Sequence, residues 1–333
     1  LTFCCCVGII SSAHAQEEGA SSRSSYDYAF VGTIDDDSSN LAGPGSDQAY
    51  TGGYRYSFVF TKDKTPWWAS VDENLTPIHQ RTFGIAISQE LFTPDDIYSS
   101  NFLPNDRPYA AWFFLGLSSS YQTEFSNSMF EMDIGTVGPD AQGQQLQNGI
   151  HEILGDRFAN GWANQLYSEP TLQFFYQRRF SSLGGSVSIE TPKRFDFIPY
   201  YSIAVGNVYD VASVGGYLRW GLGDLPNDFG PSRPTSKSGD GYARLQGRAP
   251  SSDLYFFGGL EGSFVARNMF LDGNTFRPSP RVTKYPLVAQ SDFGVGKQFR
   301  RWSLEWHFVT DSPEFVEKSA FNSYSSVTLT IVY

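Results

Sequence analysis

The residues best placed to do chemistry lie in one stretch, Gly138 to Glu169, with the sequence GPDAQGQQLQNGIHEILGDRFANGWANQLYSE. It is the longest segment whose apolar positions recur with helical rather than alternating spacing. From Ala141 to Leu154 the pattern predicts a short helix, with Leu146, Ile150 and Ile153 along one face. Gln147 stands one turn before His151 on the adjacent face. A neutral imidazole accepts a proton near neutral pH, and a glutamine one turn away can orient the ring or a substrate while the apolar face packs on a wall. A histidine with a purely structural role is the plain alternative.

A second group is acidic. Asp35, Asp36 and Asp37 are consecutive and are followed by Asp47 and by Ala49-Tyr50-Thr51-Gly52-Gly53. Adjacent carboxylates repel one another unless a cation is present, so oxygen ligation of a hard metal is the functional reading; a solvated acidic loop is the other. No EF-hand spacing occurs, and no Cys/His set suits structural zinc. A third group, Asn105-Asp106-Arg107-Pro108-Tyr109, brings Asp106 and Arg107 to a strand entry, where they could form a salt-bridged rim. There is no Gly-x-Ser-x-Gly, so a serine nucleophile elbow is unsupported.

The elements that must position these residues read as strands. In Gly52 to Phe60, Tyr54, Tyr56, Phe58 and Phe60 share one face and Arg55 and Ser57 the other; in Ser128 to Val137, Phe130, Met132 and Ile134 oppose Glu131 and Asp133. Similar segments occur at Tyr26 to Thr33, Thr82 to Glu90, Tyr109 to Tyr121, Thr171 to Phe180, Phe197 to Asn207, Ser213 to Gly221, Leu254 to Ala266, Val288 to Phe299, Trp302 to Thr310 and Ser323 to Tyr333. That makes about twelve, an even number as bacterial barrels have. Aromatics at 16% and 32 glycines, against only 18% charged residues, fit a barrel with interfacial girdles. No run of about eighteen apolar residues offers a spanning helix. The expected fold is therefore all-β, an antiparallel transmembrane outer-membrane β-barrel of about twelve strands, apolar outside and polar inside, with a short helix in an extracellular loop.

With both ends of the barrel periplasmic, the long connections Ile34 to Thr51, Leu91 to Pro108 and Gly138 to Pro170 converge on the extracellular rim, and the Arg300-Arg301 turn falls on the other. Asp224 to Ser252 is long for a periplasmic connection; it hides a strand or extends a neighbouring one. Residues 1–15, apolar and ending Ala13-His14-Ala15, read as a signal peptide and 16–25 as a linker, leaving 26–333 as a single barrel domain. All three cysteines lie in the first segment, so disulfides and a thiol nucleophile are excluded from the rest. Of the other histidines, His14 leaves with that segment, His79 falls in a periplasmic connection, and His307 faces the lumen beside Glu305 as a structural residue. A formal charge of 24 minus 35, or −11, argues against nucleic acid as a partner.

Taken together, Asp35 to Asp37, Ala49 to Gly53, Asn105 to Ala110, Asp133 to Ala141, Gly143-Gln144 to Gln147-Asn148, His151, Gly161-Trp162 to Gln165, and Glu169 resemble the outer-membrane lipid A 3′-O-deacylases over residues 26–221, with a looser match beyond. The resemblance implies a twelve-stranded barrel and calcium-dependent hydrolysis of the 3′ acyloxyacyl ester of lipid A, with lipopolysaccharide in the outer membrane as substrate. It further implies a site facing the outer leaflet, between the barrel wall and a loop helix. Residue by residue, it implies His151 as general base, Gln147 as its neighbour, Thr51 as a site hydroxyl, and Asp36 with Asp35 or Asp37 as the carboxylate end of a Ca2+ site. Asp106, Arg107 and Asp156 would support the loops. The chain departs from the family pattern at Asp35, where the pattern has Asn. It also lacks a lysine between Leu91 and Pro108, and has Arg157, beside Asp156, where an acidic residue is expected. The competing readings are a non-catalytic barrel acting as a channel or surface-interaction protein, and an outer-membrane phospholipase, which would want a serine beside the histidine. Oligomeric state is left open by the sequence.

Overall fold

A computed structural model of the chain describes residues 24–25, 27–37, 49–61, 80–123, 125–181, 194–226, 228–234, 246–247, 253–299 and 301–333. The signal peptide, most of the linker, Asp47 and His79 lie outside the described residues. Among the described residues twelve antiparallel strands close into a barrel. They are β1 (Tyr28–Asp36), β2 (Ala49–Phe60), β3 (Gln80–Thr93), β4 (Ala110–Gln122), β5 (Ser126–Val137) and β6 (Glu169–Phe180), followed by β7 (Phe195–Gly206), β8 (Tyr209–Gly221), β9 (Asp253–Asn268), β10 (Leu287–Gln298), β11 (Trp302–Asp311) and β12 (Asn322–Val332). Each pairs with its neighbour in sequence. The last closes on the first, Val332 opposite Ala29 and Ser325 opposite Asp36, so the barrel closes with no open edge among the described residues.

Every strand foreseen from alternation is present, with ends shifted by a few residues. The outward positions Ile34, Phe58, Ile87, Leu115, Phe174 and Phe264 form an exposed apolar belt, the surface hydrocarbon requires. None of the described helices is long and apolar enough to cross a membrane; the strands cross instead.

The lumen is filled by pairs of charges. Arg55 Nη2 donates to both oxygens of Glu131 at 2.7 and 2.8 Å. Arg219 bridges Asp196 and Asp228, and Arg233 holds Glu261. His307 is fully buried, with Nδ1 3.0 Å from Asp292 and Nε2 3.1 Å from the Ser232 hydroxyl. Its lumen-facing position is as the alternation predicted. Buried charges persist only when paired in this way.

Part of the connection after β8 turns inward. Arg179 Nη1 donates to the carbonyls of Phe229 and Pro231 at 3.1 and 2.6 Å, and the Ser232 N–H donates to Glu305 at 2.8 Å. Gly230 makes the bend at φ 103°. This segment therefore fills the lumen from the end opposite the helix-bearing rim. Further on, Gln246–Gly247 pair with Ser24–Ser25. Near the helix-bearing rim a short helix, α2 (Met269–Asp272), starts where the Asn268 side chain accepts the Phe270 N–H at 3.0 Å. Phe270 then stacks on Phe92 with centroids 3.9 Å apart, inside a buried cluster with Tyr50, Trp112, Tyr209 and Tyr324.

Candidate functional site

The site is built outward from the barrel wall. Odd-numbered residues of β1 point inward, as Val31, Thr33 and Asp35 are buried, while Ile34 is exposed. Asp35 thus faces the lumen, where its Oδ2 accepts the Tyr50 hydroxyl at 2.8 Å. Asp36 points outward, opposite Gly52, and Asp37, buried just beyond the strand, donates its N–H to the Thr51 carbonyl at 3.3 Å. The expected row of three aspartates is divided. The alternation that builds the strand turns Asp35 to the opposite side of the wall from Asp36.

Thr51 owes its position to a β-bulge. Tyr50 pairs with Phe92 and Gly52 with Leu91, so Thr51 is the extra residue. Its hydroxyl lies 2.6 Å from that of Thr93 on β3, which is outward in phase with Leu91. Thr51 and Asp36 therefore share the outer face at the rim.

Against that face sits the loop helix. After a 3-10 turn, Pro139–Ala141, α1 runs Gly143–Leu154. The carbonyl of Ala141 accepts the Gln89 side-chain amide at 2.5 Å, docking the helix start on β3. Gly143 allows close approach to the wall: a Cβ there would come within 2.5 Å of both the Ala111 Cβ and the Trp162 ring. One face, Gly143, Gln147 and His151, is buried at i, i+4, i+8 spacing. The sequence reading put the apolar face of the helix against the wall. Leu146 does pack with Leu91, Ala111 and Trp162, but Ile153 is 80% exposed and the buried stripe is polar.

Both polar members of the stripe are held. Gln147 Oε1 accepts the Trp162 indole N–H at 2.8 Å. His151 Nδ1 lies 2.6 Å from the carbonyl oxygen of Arg157. A carbonyl can only accept, so the ring proton is on Nδ1 and the basic lone pair on Nε2. The helix ends at Gly155, left-handed at φ 78°, whose N–H returns to the His151 carbonyl. The N–H of Asp156 does likewise at 2.8 Å, and its side chain is exposed. Asp156 enters this geometry through its backbone.

Asp106 and Arg107 shape the neighbouring loop. Asp106 accepts the backbone N–H groups of Asp95 and Arg107, each at 2.7 Å. Burial pushes its carboxyl above the usual range, against the pull of those bonds. Arg107 is buried, pairs with Glu314 and lies over the rings of Phe92 and Phe315. Asp106 braces 94–109 internally, and Arg107 ties that loop to the connection between β11 and β12. Trp162 and Thr93 escaped the sequence reading as partners of Gln147 and Thr51; a tryptophan fifteen residues past a glutamine carries no periodic signal.

For a cation, Asp36 and Asp37 carboxylates and the Thr51 hydroxyl are hard oxygen donors, the chemistry Ca2+ prefers. Among the described residues no group of three or more His, Cys, Asp or Glu is gathered closely enough to hold a metal by itself. A hard ion there would complete its shell with hydroxyl, carbonyl, water or substrate oxygens.

The family model described as "Outer membrane protein LpxR" matches residues 1–333. Among solved structures, LpxR from Salmonella typhimurium is 20% identical, with a TM-score of 0.70, over 92% of this chain and 100% of that one. The translocator domain of autotransporter NalP from Neisseria meningitidis is 8% identical, with a TM-score of 0.42, over 92% and 89%. No curated protein sequence matches the chain.

Proposed function

The chain belongs to the LpxR outer membrane protein family, and on that premise we propose that it is a lipid A deacylase, a carboxylic ester hydrolase that removes the 3′ acyloxyacyl group with His151 as general base. One observation supports the reading: His151 lies on the buried face of the loop helix, and its Nδ1 is held 2.6 Å from the Arg157 carbonyl oxygen, which leaves Nε2 as the ring atom for base chemistry.

In the proposed reaction, His151 Nε2 takes a proton from water as the water oxygen attacks the ester carbonyl. Collapse of the tetrahedral species breaks the bond to the sugar oxygen, which receives the proton. The products are the acyloxyacyl chain as a free carboxylic acid, its secondary ester intact, and the 3′-hydroxyl. Nδ1, bonded to the Arg157 carbonyl, shares the positive charge that develops on the ring. Gln147, fixed by Trp162, borders the same face and fills the space next to the imidazole. Asp36, Asp37 and Thr51 would hold Ca2+, which when bound supplies positive charge opposite the developing oxyanion. The helix-bearing rim then faces the outer leaflet, where lipid A lies. A channel is disfavoured by residues 228–234 and Phe270, which fold into the lumen.

The test is mass spectrometry of lipid A from cells expressing the native protein or His151→Ala, with calcium supplied or chelated. Loss of the 3′ acyloxyacyl mass with the native residue and calcium together supports the reading. Unchanged lipid A with a folded barrel in the outer membrane would overturn it.

A further inference from the structure

The bond that sets the tautomer of His151 comes from an exposed strip of backbone. Residues 155–158 are exposed, yet the carbonyl of residue 157 must stay within hydrogen-bonding distance of Nδ1. Two devices bring it there. The left-handed Gly155 folds the chain back under the last helical turn. The Arg157 guanidinium lies 3.7 Å above the centre of the Tyr98 ring, in the neighbouring loop.

Tyr98 is itself anchored. Asp96 Oδ1 accepts the N–H groups of Tyr98 and Ser99 at 3.1 and 3.2 Å. Asn160 reaches across to the same loop, its N–H donating to the Ile97 carbonyl at 2.9 Å and its side chain to the Tyr98 carbonyl at 3.2 Å. Asn164 donates to the Ser100 carbonyl at 3.0 Å. The loop before β4 and the loop bearing α1 are therefore stitched together beside the imidazole.

We propose that Arg157, stacked on Tyr98, is a positioning residue for His151: the cation–π contact fixes the backbone whose carbonyl holds Nδ1, and so orients the imidazole. This rests on the reading of His151 as the base. The guanidinium does its work through the face of an aromatic ring, so any flat ring at position 98 suffices, and a cation at 157 is required.

The test is steady-state kinetics of the purified full chain on lipopolysaccharide in detergent with calcium. Barrel integrity is checked by the heat-dependent shift in gel mobility. Arg157→Ala and Tyr98→Leu are expected to lower kcat by ~10- to 100-fold, with KM within about twofold, as misaimed but intact groups do. Arg157→Lys and Tyr98→Phe restore most of that rate, and the Arg157→Ala/Tyr98→Leu pair is no worse than either single change. Native kcat in Arg157→Ala or Tyr98→Leu, while His151→Ala is inactive, overturns this proposal alone. A rise in KM without loss of kcat also overturns it and makes Arg157 a substrate contact. An inactive native protein, or an active His151→Ala, overturns the choice of base and this proposal with it.

Discussion

The indole N–H of Trp162 donates to the side-chain oxygen of Gln147 at 2.8 Å, locking the middle of the buried helix face to the return of its own loop. Gln147→Ala removes the acceptor and leaves a buried indole N–H without its partner, at a cost of about 1–3 kcal/mol. The expected result is faster cleavage of the 155–158 turn in limited proteolysis and a fall in deacylation, with the barrel intact. Trp162→Phe, which removes the donor but keeps the ring against Tyr109, should do less damage.

His151→Ala should leave the barrel folded, since the side chain belongs to a loop helix outside the lumen. Deacylation should fall by about 10²- to 10⁴-fold, the range for loss of a positioned base. Mobility of the unheated protein in gels and lipid A mass spectra check the two halves separately.

Chelation of calcium should abolish the activity, and readdition restore it. Asp36→Asn should raise the calcium concentration needed for half-maximal rate. Asp35→Asn, on the lumen side of the wall and bonded to Tyr50, should leave that concentration where it is. Calcium titrations of the three proteins separate these outcomes.

Arg55 and Glu131 form a buried bidentate pair. Arg55→Met leaves a buried carboxylate uncompensated and should destabilise the barrel by about 3–5 kcal/mol. Replacing both, Arg55→Met with Glu131→Leu, should recover much of the loss. The temperature at which the folded band disappears from unboiled gels reads both.

The strands were legible because a wall between lipid and a polar lumen imposes a period of two on them, broken in β2 at Thr51 and in β9 between Val265 and Arg267. Alternation also carries the sidedness of Asp35 and Asp36, once the strand is known to continue as far as Asp36. The bulge at Thr51 was invisible: one extra residue in an otherwise regular strand changes no local pattern. The helix was legible but its orientation was not. Ile153 follows a core-like period, yet its surroundings lie outside the barrel, so an apolar side chain there has no reason to turn toward the wall. The inward fold of 228–234 could not be read because its contacts are made through backbone carbonyls, to which the sequence gives no identity.

In the proposed reaction the substrate reaches His151 on the loop helix from outside the barrel, and the lumen plays no part. A lipid arriving there travels sideways in its own leaflet and never passes through water. Encounters at such a place are counted per unit of membrane area. The rate should follow the mole fraction of lipid A in a mixed micelle or vesicle, and diluting the lipid with inert detergent should slow the protein even when the bulk concentrations of both are unchanged.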